Sequence, residues 1–203
     1  MTWMASVSGA SVELLHPKAD EVNFRDIASS LSQINRYNGH FAKPITVAQH
    51  LIIGCEIAAP ELRPWWLLHD AHEERVGDVT TPIKETWSAL AREMFGDPAA
   101  EMIERIRKEF ERRHDAVIHQ AAGLPLPTKD QRIEIKRVDW ITLATERRDF
   151  LPHQQRTWWL DQYRIQPHSR VYRPLPAPKA AEQLFRLFNT YLPALAGATG
   201  RAA

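Results

Sequence analysis

Two histidines, two aspartates and a glutamate, met in the order His50, His69, Asp70, Glu73 and Asp139, are the residues of this chain best suited to chemistry. Adjacent residues on a helix point about 100° apart, so a metal ion off one side is within reach of both the imidazole of His69 and the carboxylate of Asp70. Two imidazoles and two carboxylates leave positions open for water and substrate. Such a mixed nitrogen and oxygen set suits divalent manganese, cobalt, zinc or iron rather than calcium. One ion so held acidifies a water and polarises a phosphoryl oxygen, which is the chemistry of phosphoester hydrolysis. Glu73 lies three residues beyond Asp70, on the same face if the helix continues, placed to orient the water or to protonate the leaving oxygen.

The elements that must position these groups read as helices almost throughout, and no pair of alternating runs announces a hairpin, so the expectation is an all-α fold. A first short helix spans Phe24 to Ile34 and breaks at Tyr37-Asn38-Gly39. From Thr46 to Ala58 a helix sets Val47, His50, Leu51, Gly54 and Ala58 on one face, which turns His50 inward. A third runs from about Leu62 through Trp65 and Trp66 into His69-Asp70 and ends before Gly77. Residues 77–82 are loop-like, and Ile83 to Phe95 is helical again. Asp97-Pro98 then starts a long amphipathic helix carrying Met102, Ile106, Phe110 and Val117, stopped by Gly123 and Pro125. Thr128 with Gln131 is a capping-box signature for a helix from Lys129 to Phe150, where Asp139 shares the face of Ile135 and Leu143. A buried acid on an apolar face needs a partner, which a metal supplies. A Pro-rich connector, Arg173 to Pro178, leads to a last helix, Lys179 to Tyr191.

A lone His-Asp dipeptide is weak evidence, and the chain contains a second. His114-Asp115 sits among Glu109, Glu111, Arg112 and Arg113 and reads as a solvated helix face. His40 and His72 read as surface histidines, and Glu146-Arg147-Arg148-Asp149 as a salt-bridged surface with no role. Trp65 and Trp66 read as core, while Trp158 and Trp159 pack either the C-terminal segment or a subunit interface.

The 203 residues suit one domain, and 44% hydrophobic with 25% charged residues is an ordinary globular composition. A net charge of +1 provides no general basic field, so binding to duplex nucleic acid is not expected. Cys55, the single cysteine, excludes an intrachain disulfide and a cysteine-rich zinc site. No run is long enough for a membrane span and no signal peptide is evident, which points to the cytoplasm.

The ordered set His50, Leu67-Leu-His69-Asp70-Ala-His-Glu73, Gly77-Asp78-Val-Thr-Thr-Pro82-Ile-Lys84 and Asp139 resembles the HD-domain metal-dependent phosphohydrolases, and more narrowly the 5'-deoxynucleotidase branch. The resemblance covers about residues 25–150, leaving 151–203 as a C-terminal helical extension of a single HD domain. It implies an HD-domain helical bundle with one divalent metal on His50, His69, Asp70 and Asp139, and catalytic roles for Glu73 and Asp78. Arg36-Tyr37 matches an arginine and aromatic that meet the substrate, with Arg36 on phosphate, and Lys84 is a second phosphate contact. Guanidinium suits that task because it makes two parallel bonds to one phosphate. The implied substrates are deoxynucleoside monophosphates, with deoxynucleoside triphosphates as the alternative, and a homodimer is in keeping with the family. The spacing from His50 to His69 is tighter than in the deoxynucleotidases. Two other readings stay open: a two-metal relative using His72, His114 or His119, and a module that senses nucleotides without turnover.

Overall fold

Asn23 starts the first helix by accepting hydrogen bonds from the backbone of Arg25 and Asp26, two of the donors that an N-terminus leaves without helical partners. The computed structural model describes residues 2–199, and these fold as an all-α structure. Its main helices are α1 (Phe24–Leu31), α2 (Val47–Ile57), α3 (Arg63–Leu68), α4 (Glu73–Val76), α5 (Thr81–Phe95), α6 (Asp97–Ala122), α7 (Lys129–Asp149), α8 (Trp159–Gln162), α9 (Ala177–Tyr191) and α10 (Pro193–Thr199). Helix α1 stops three residues short of the expected Ile34, where the Ser32 hydroxyl turns back onto the Ser29 carbonyl at 2.7 Å. A two-stranded antiparallel hairpin, β1 (Trp3–Ala5) and β2 (Ser11–Glu13), was not anticipated. Its strands are only three residues long, too short for alternation to register, and Gly9 turns its loop at φ 84°.

Helix α2 is the axis of the structure. Every residue from Val47 to Cys55 is buried, not only the face that its periodicity marks, as expected of a helix that is apolar all round. Gly54 is the position that permits this. A Cβ there would lie 1.9 Å from the Trp66 indole, so only glycine lets α3 seat Trp66 against α2, where its Nε1 donates to the Leu51 carbonyl at 2.8 Å.

Around α2 pack α1, α3, α7 and α9, and one core of buried side chains runs through them. The Phe24 and Phe188 rings meet edge to face at 5.5 Å, and burying each contributes about 1.5–3 kcal/mol. Helix α5 stands apart, since it buries only Ala91 and rests on α6, whose C-terminal half puts Ile118 and Ala122 into the core. Among the described residues no helix is long and apolar enough to cross a membrane.

The expected single helix over 62–76 is broken. Between α3 and α4 the chain makes tight turns, with Ala71 bonded to the Leu68 carbonyl and Glu73 to that of Asp70. The cause is local: the Trp66 carbonyl, which an α-helix would offer to residue 70, accepts instead from the His69 backbone at 3.3 Å and from His69 Nδ1 at 2.7 Å. In such a 3₁₀-like turn residues three apart eclipse, so Asp70 and Glu73 share a face although the helix does not continue.

Candidate metal centre

His50 leaves α2 with its ring fully buried, and its Nδ1 lies 2.7 Å from Glu146 Oε1 on α7. A carboxylate only accepts, so that nitrogen carries the proton and Nε2 keeps its lone pair. His69 is fixed likewise, with Nδ1 donating to the Trp66 carbonyl and the ring stacked on Trp66 at 4.1 Å. Both Nε2 atoms therefore point inward as acceptors, and both are buried without a hydrogen-bond partner.

What they face is another acceptor. Asp70 Oδ2 lies 3.5 Å from His50 Nε2 and 3.2 Å from His69 Nε2, and Asp139 Oδ1 is 3.7 Å from His50 Nε2. Lone pairs converging in a dry site call for a cation. Ligand bonds of about 2.1 Å place neighbouring donors roughly 3.0–3.4 Å apart, close to the separations seen. One atom each from His50, His69 and Asp139 lies within 4.8 Å of the others, and among the described residues this is the group suited to a metal. Asp70 sits beside it, and the four residues expected as ligands come together from α2, the turn after α3, and α7.

The comparisons with known proteins assign no activity. Over 149 residues the chain is 32% identical to YfdR of Escherichia coli K12, an alignment covering 73% of this chain and 72% of that protein. The chain belongs to the YfdR family. An uncharacterized protein of Rhodobacter capsulatus is 30% identical over 155 residues, covering 71% of this chain and 70% of its own. YfdR too is described as uncharacterized, and no protein-family model matches the chain.

In this YfdR-family chain the decisive supporting residue is one whose sequence context marked it as surface. Glu146 is fully buried and accepts from His50 Nδ1 at 2.7 Å, from Arg36 Nε at 3.0 Å and from the Tyr37 hydroxyl at 2.6 Å. Burial pushes its carboxyl up, yet Arg36, His50 and Tyr37 bring it down to about 2. The signal that could have found it is register: Glu146 lies seven residues, two turns, after Asp139 on α7.

Arg36 is engaged from several sides. Beyond its bond to Glu146, its Nη1 lies 4.0 Å from Asp70 and 3.9 Å from Asp78, and the residue is 8% exposed. The geometry makes it the internal counter-ion of the centre rather than a guanidinium with a free face for phosphate. Tyr37 adopts φ 55° and spends its hydroxyl on Glu146. Lys84 is remote from the donor cluster in its contacts, 3.9 Å from Glu111 of α6. Glu73 and Asp78 flank the centre. Burial and the nearby Asp70 and Asp78 carboxylates hold the Glu73 carboxyl well above its usual range, and burial also raises Asp78.

Of the histidines set aside as surface, His40 is exposed, but His72 and His114 are not. His72 is buried with Nδ1 2.9 Å from Asp115, and His114 is 1% exposed with Nε2 on the Leu14 carbonyl at 3.0 Å. The charged residues around His114 occupy the other sides of α6, and sequence neighbours alone cannot tell which side the protein covers. His119 Nδ1 is bound to the Pro125 carbonyl at 3.0 Å, so none of the three joins the donor cluster. Trp158 and Trp159 pack within the chain, Trp158 against Tyr37 and Trp159 against Trp140.

The centre opens on a cavity of about 260 Å³ between α3, α6 and α7. His69, Asp70 and Asp139 lie at one end, with Arg132 and Lys136 on its α7 wall. Lys136 reaches Asp139 Oδ2 at 2.7 Å. Arg132 has no carboxylate partner among the described residues.

Proposed function

We propose that the chain is a metal-dependent phosphohydrolase of the HD type acting on nucleotides, with 5'-deoxynucleoside monophosphates as the favoured substrates. The observation that carries this reading is the pair of buried imidazole Nε2 acceptors, each fixed by its Nδ1 bond, turned onto the carboxylate of Asp70 with Asp139 beside them. His50, His69, Asp70 and Asp139 would hold one divalent ion, which acidifies a water and draws charge off a phosphoryl oxygen.

The remaining steps belong to the chain's own groups. Arg132 gives the cavity the positive charge that a phosphate requires, which Arg36 and Lys136, each paired with carboxylates, do not. Asp78, oriented by Arg36, takes the proton of the attacking water as its oxygen bonds to phosphorus. Glu73, whose carboxyl burial and the nearby Asp70 and Asp78 carboxylates push well above its usual range, is the proton donor, and it passes a proton to the ester oxygen as the P–O bond breaks and its electron pair stays on that oxygen. A nucleoside and inorganic phosphate leave, and water restores both carboxyl groups to their starting states.

The test is chromatographic product analysis after incubation with manganese, cobalt, zinc or iron and a panel of deoxy- and ribonucleoside mono- and triphosphates, with Glu73→Ala as control. Nucleoside and phosphate from monophosphates, lost in Glu73→Ala, is the expected result. Triphosphate release would move the chain to the triphosphohydrolases, and no product from any nucleotide would overturn the reading.

A further inference from the structure

A second cavity, of about 300 Å³, lies on the other side of the turn that carries Asp70. Its walls are apolar: Val76 and Val79 from one side, Trp87 of α5, and Ile103, Ile106 and Phe110 of α6. One acid faces it. Glu73 lines the cavity, is 7% exposed, and its Oε2 is buried without a hydrogen-bond partner.

The cations at its edge are already neutralised. Arg107 is bound to both Glu104, at 2.8 Å, and Glu111, at 2.5 Å, and Lys84 lies 3.9 Å from the same Glu111. The free cation lies instead on the wall of the first cavity, where Arg132 has no carboxylate partner among the described residues. An apolar chamber at the low end of ligand-site volumes, with one convergent polar atom, fits a single flat ring system that presents a hydroxyl or ester oxygen. Trp87, 46% exposed, offers an aromatic face for stacking.

We infer that this α5–α6 cavity is the leaving-group pocket, taking the uncharged aromatic body of a phosphate monoester and bringing its ester oxygen to Glu73. The inference rests on the hydrolase reading above and adds the substrate class: esters of aromatic-bodied alcohols, nucleosides among them, in preference to esters of small aliphatic alcohols. It also reassigns Lys84, which belongs to the wall of this pocket and not to the phosphate.

The test begins without metal or turnover. Calorimetric titration of the metal-free full chain with 2-naphthalenemethanol, an uncharged aromatic alcohol, should give saturable binding that weakens about tenfold in Trp87→Ala, the scale of one lost stacking partner. Ile106→Glu, which places a carboxylate on the apolar wall, should abolish it, while inorganic phosphate binds all three proteins alike. Both positions are largely exposed, so circular dichroism should show the folded state of each variant unchanged. No saturable binding, or binding equal in all three proteins, overturns the inference. Manganese-loaded protein is then given naphthylmethyl phosphate and ethyl phosphate. Faster phosphate release from the aromatic ester, at least tenfold in kcat/KM, supports the inference, and equal release overturns it alone. Release from neither ester nor from any nucleotide overturns the hydrolase reading itself, and the pocket's role as leaving-group site falls with it.

Discussion

Replacing Glu146 by glutamine changes one atom and should undo the centre from behind. The carboxylate accepts on both oxygens, Oε2 from Arg36 and Tyr37 and Oε1 from His50. A glutamine has one oxygen and one NH₂, so if its oxygen keeps Arg36 and Tyr37, its NH₂ confronts His50 Nδ1. His50 must then move its proton to Nε2, the atom meant for the metal, and a protonated nitrogen is no ligand. The drop of the Glu146 carboxyl from the usual 4.5 to about 2 corresponds to about 3 kcal/mol of stabilisation in a fully buried group. Losing that should lower Tm by about 6–12 °C for a chain of this size. Because the folded carboxyl lies below its ordinary value, this stabilisation is present above pH 4.5 and is lost as pH falls towards 2, so the gap between the two proteins should narrow in acid. Calorimetry should show divalent metal affinity reduced by about 10–100-fold, and nitrogen NMR should find the His50 proton moved to Nε2. A Glu146→Gln protein with unchanged metal affinity and the wild-type tautomer would refute the reasoning.

Four further outcomes are expected. Gly54→Ala should displace Trp66, and with it the stacked His69, costing about 1–3 kcal/mol in chemical denaturation and weakening metal binding as well; stability loss with normal metal affinity would mean that Trp66 does not hold His69. Saturating the apo-protein with metal at a hundred times its Kd should raise Tm by about 5–10 °C, reversed by a chelator, and a Tm indifferent to both would count against the centre. Glu73→Gln should lower kcat by about 10²–10⁴-fold while calorimetric metal affinity stays put, and a mainly metal-binding defect would assign Glu73 to the ligands instead. Burial lowers the His72 pKa, but its bond to Asp115 and that carboxylate's charge raise it overall; this stabilisation is present below about pH 6.5 and fades as pH rises through the raised value. The Tm difference between wild type and Asp115→Asn should therefore shrink between pH 6 and pH 9, and a constant difference would separate His72 from that carboxylate.

The donor cluster was legible because its members have rare types for their places: an acid among apolar neighbours at Asp139, a His-Asp pair ending an apolar run at His69. Helix boundaries followed where caps are local, as at Thr128 with Gln131, and failed where a side chain captured a backbone carbonyl, as His69 does to Trp66. Glu146 and His114 were misread for one reason. Each sits among opposite charges in the sequence, a pattern that looks identical whether those neighbours are its partners or lie on other sides of the helix. Only the packing of α7 on α2 turns Glu146 toward His50, and that contact spans 96 residues. Arg36 was assigned a substrate because the carboxylates that enclose it, Asp70, Asp78 and Glu146, all come from segments far along the chain.

The Arg36 to Glu146 bond joins residues 110 apart, and this has a consequence for how the chain comes into being. Closing a loop of that length costs about 4 kcal/mol of chain entropy before any contact forms. During synthesis at roughly 5–20 residues per second, Arg36, His50 and Asp70 leave the ribosome several seconds ahead of the carboxylate that orders them. Over that interval α2, buried along almost its whole length in the finished fold, has neither α7 nor α9 to cover it, and His50 has no fixed tautomer. The nascent chain thus passes through a stage in which His50 and His69 exist without Asp139 and Glu146, and the arrival of α7 ends the exposure and completes the donor cluster in the same event.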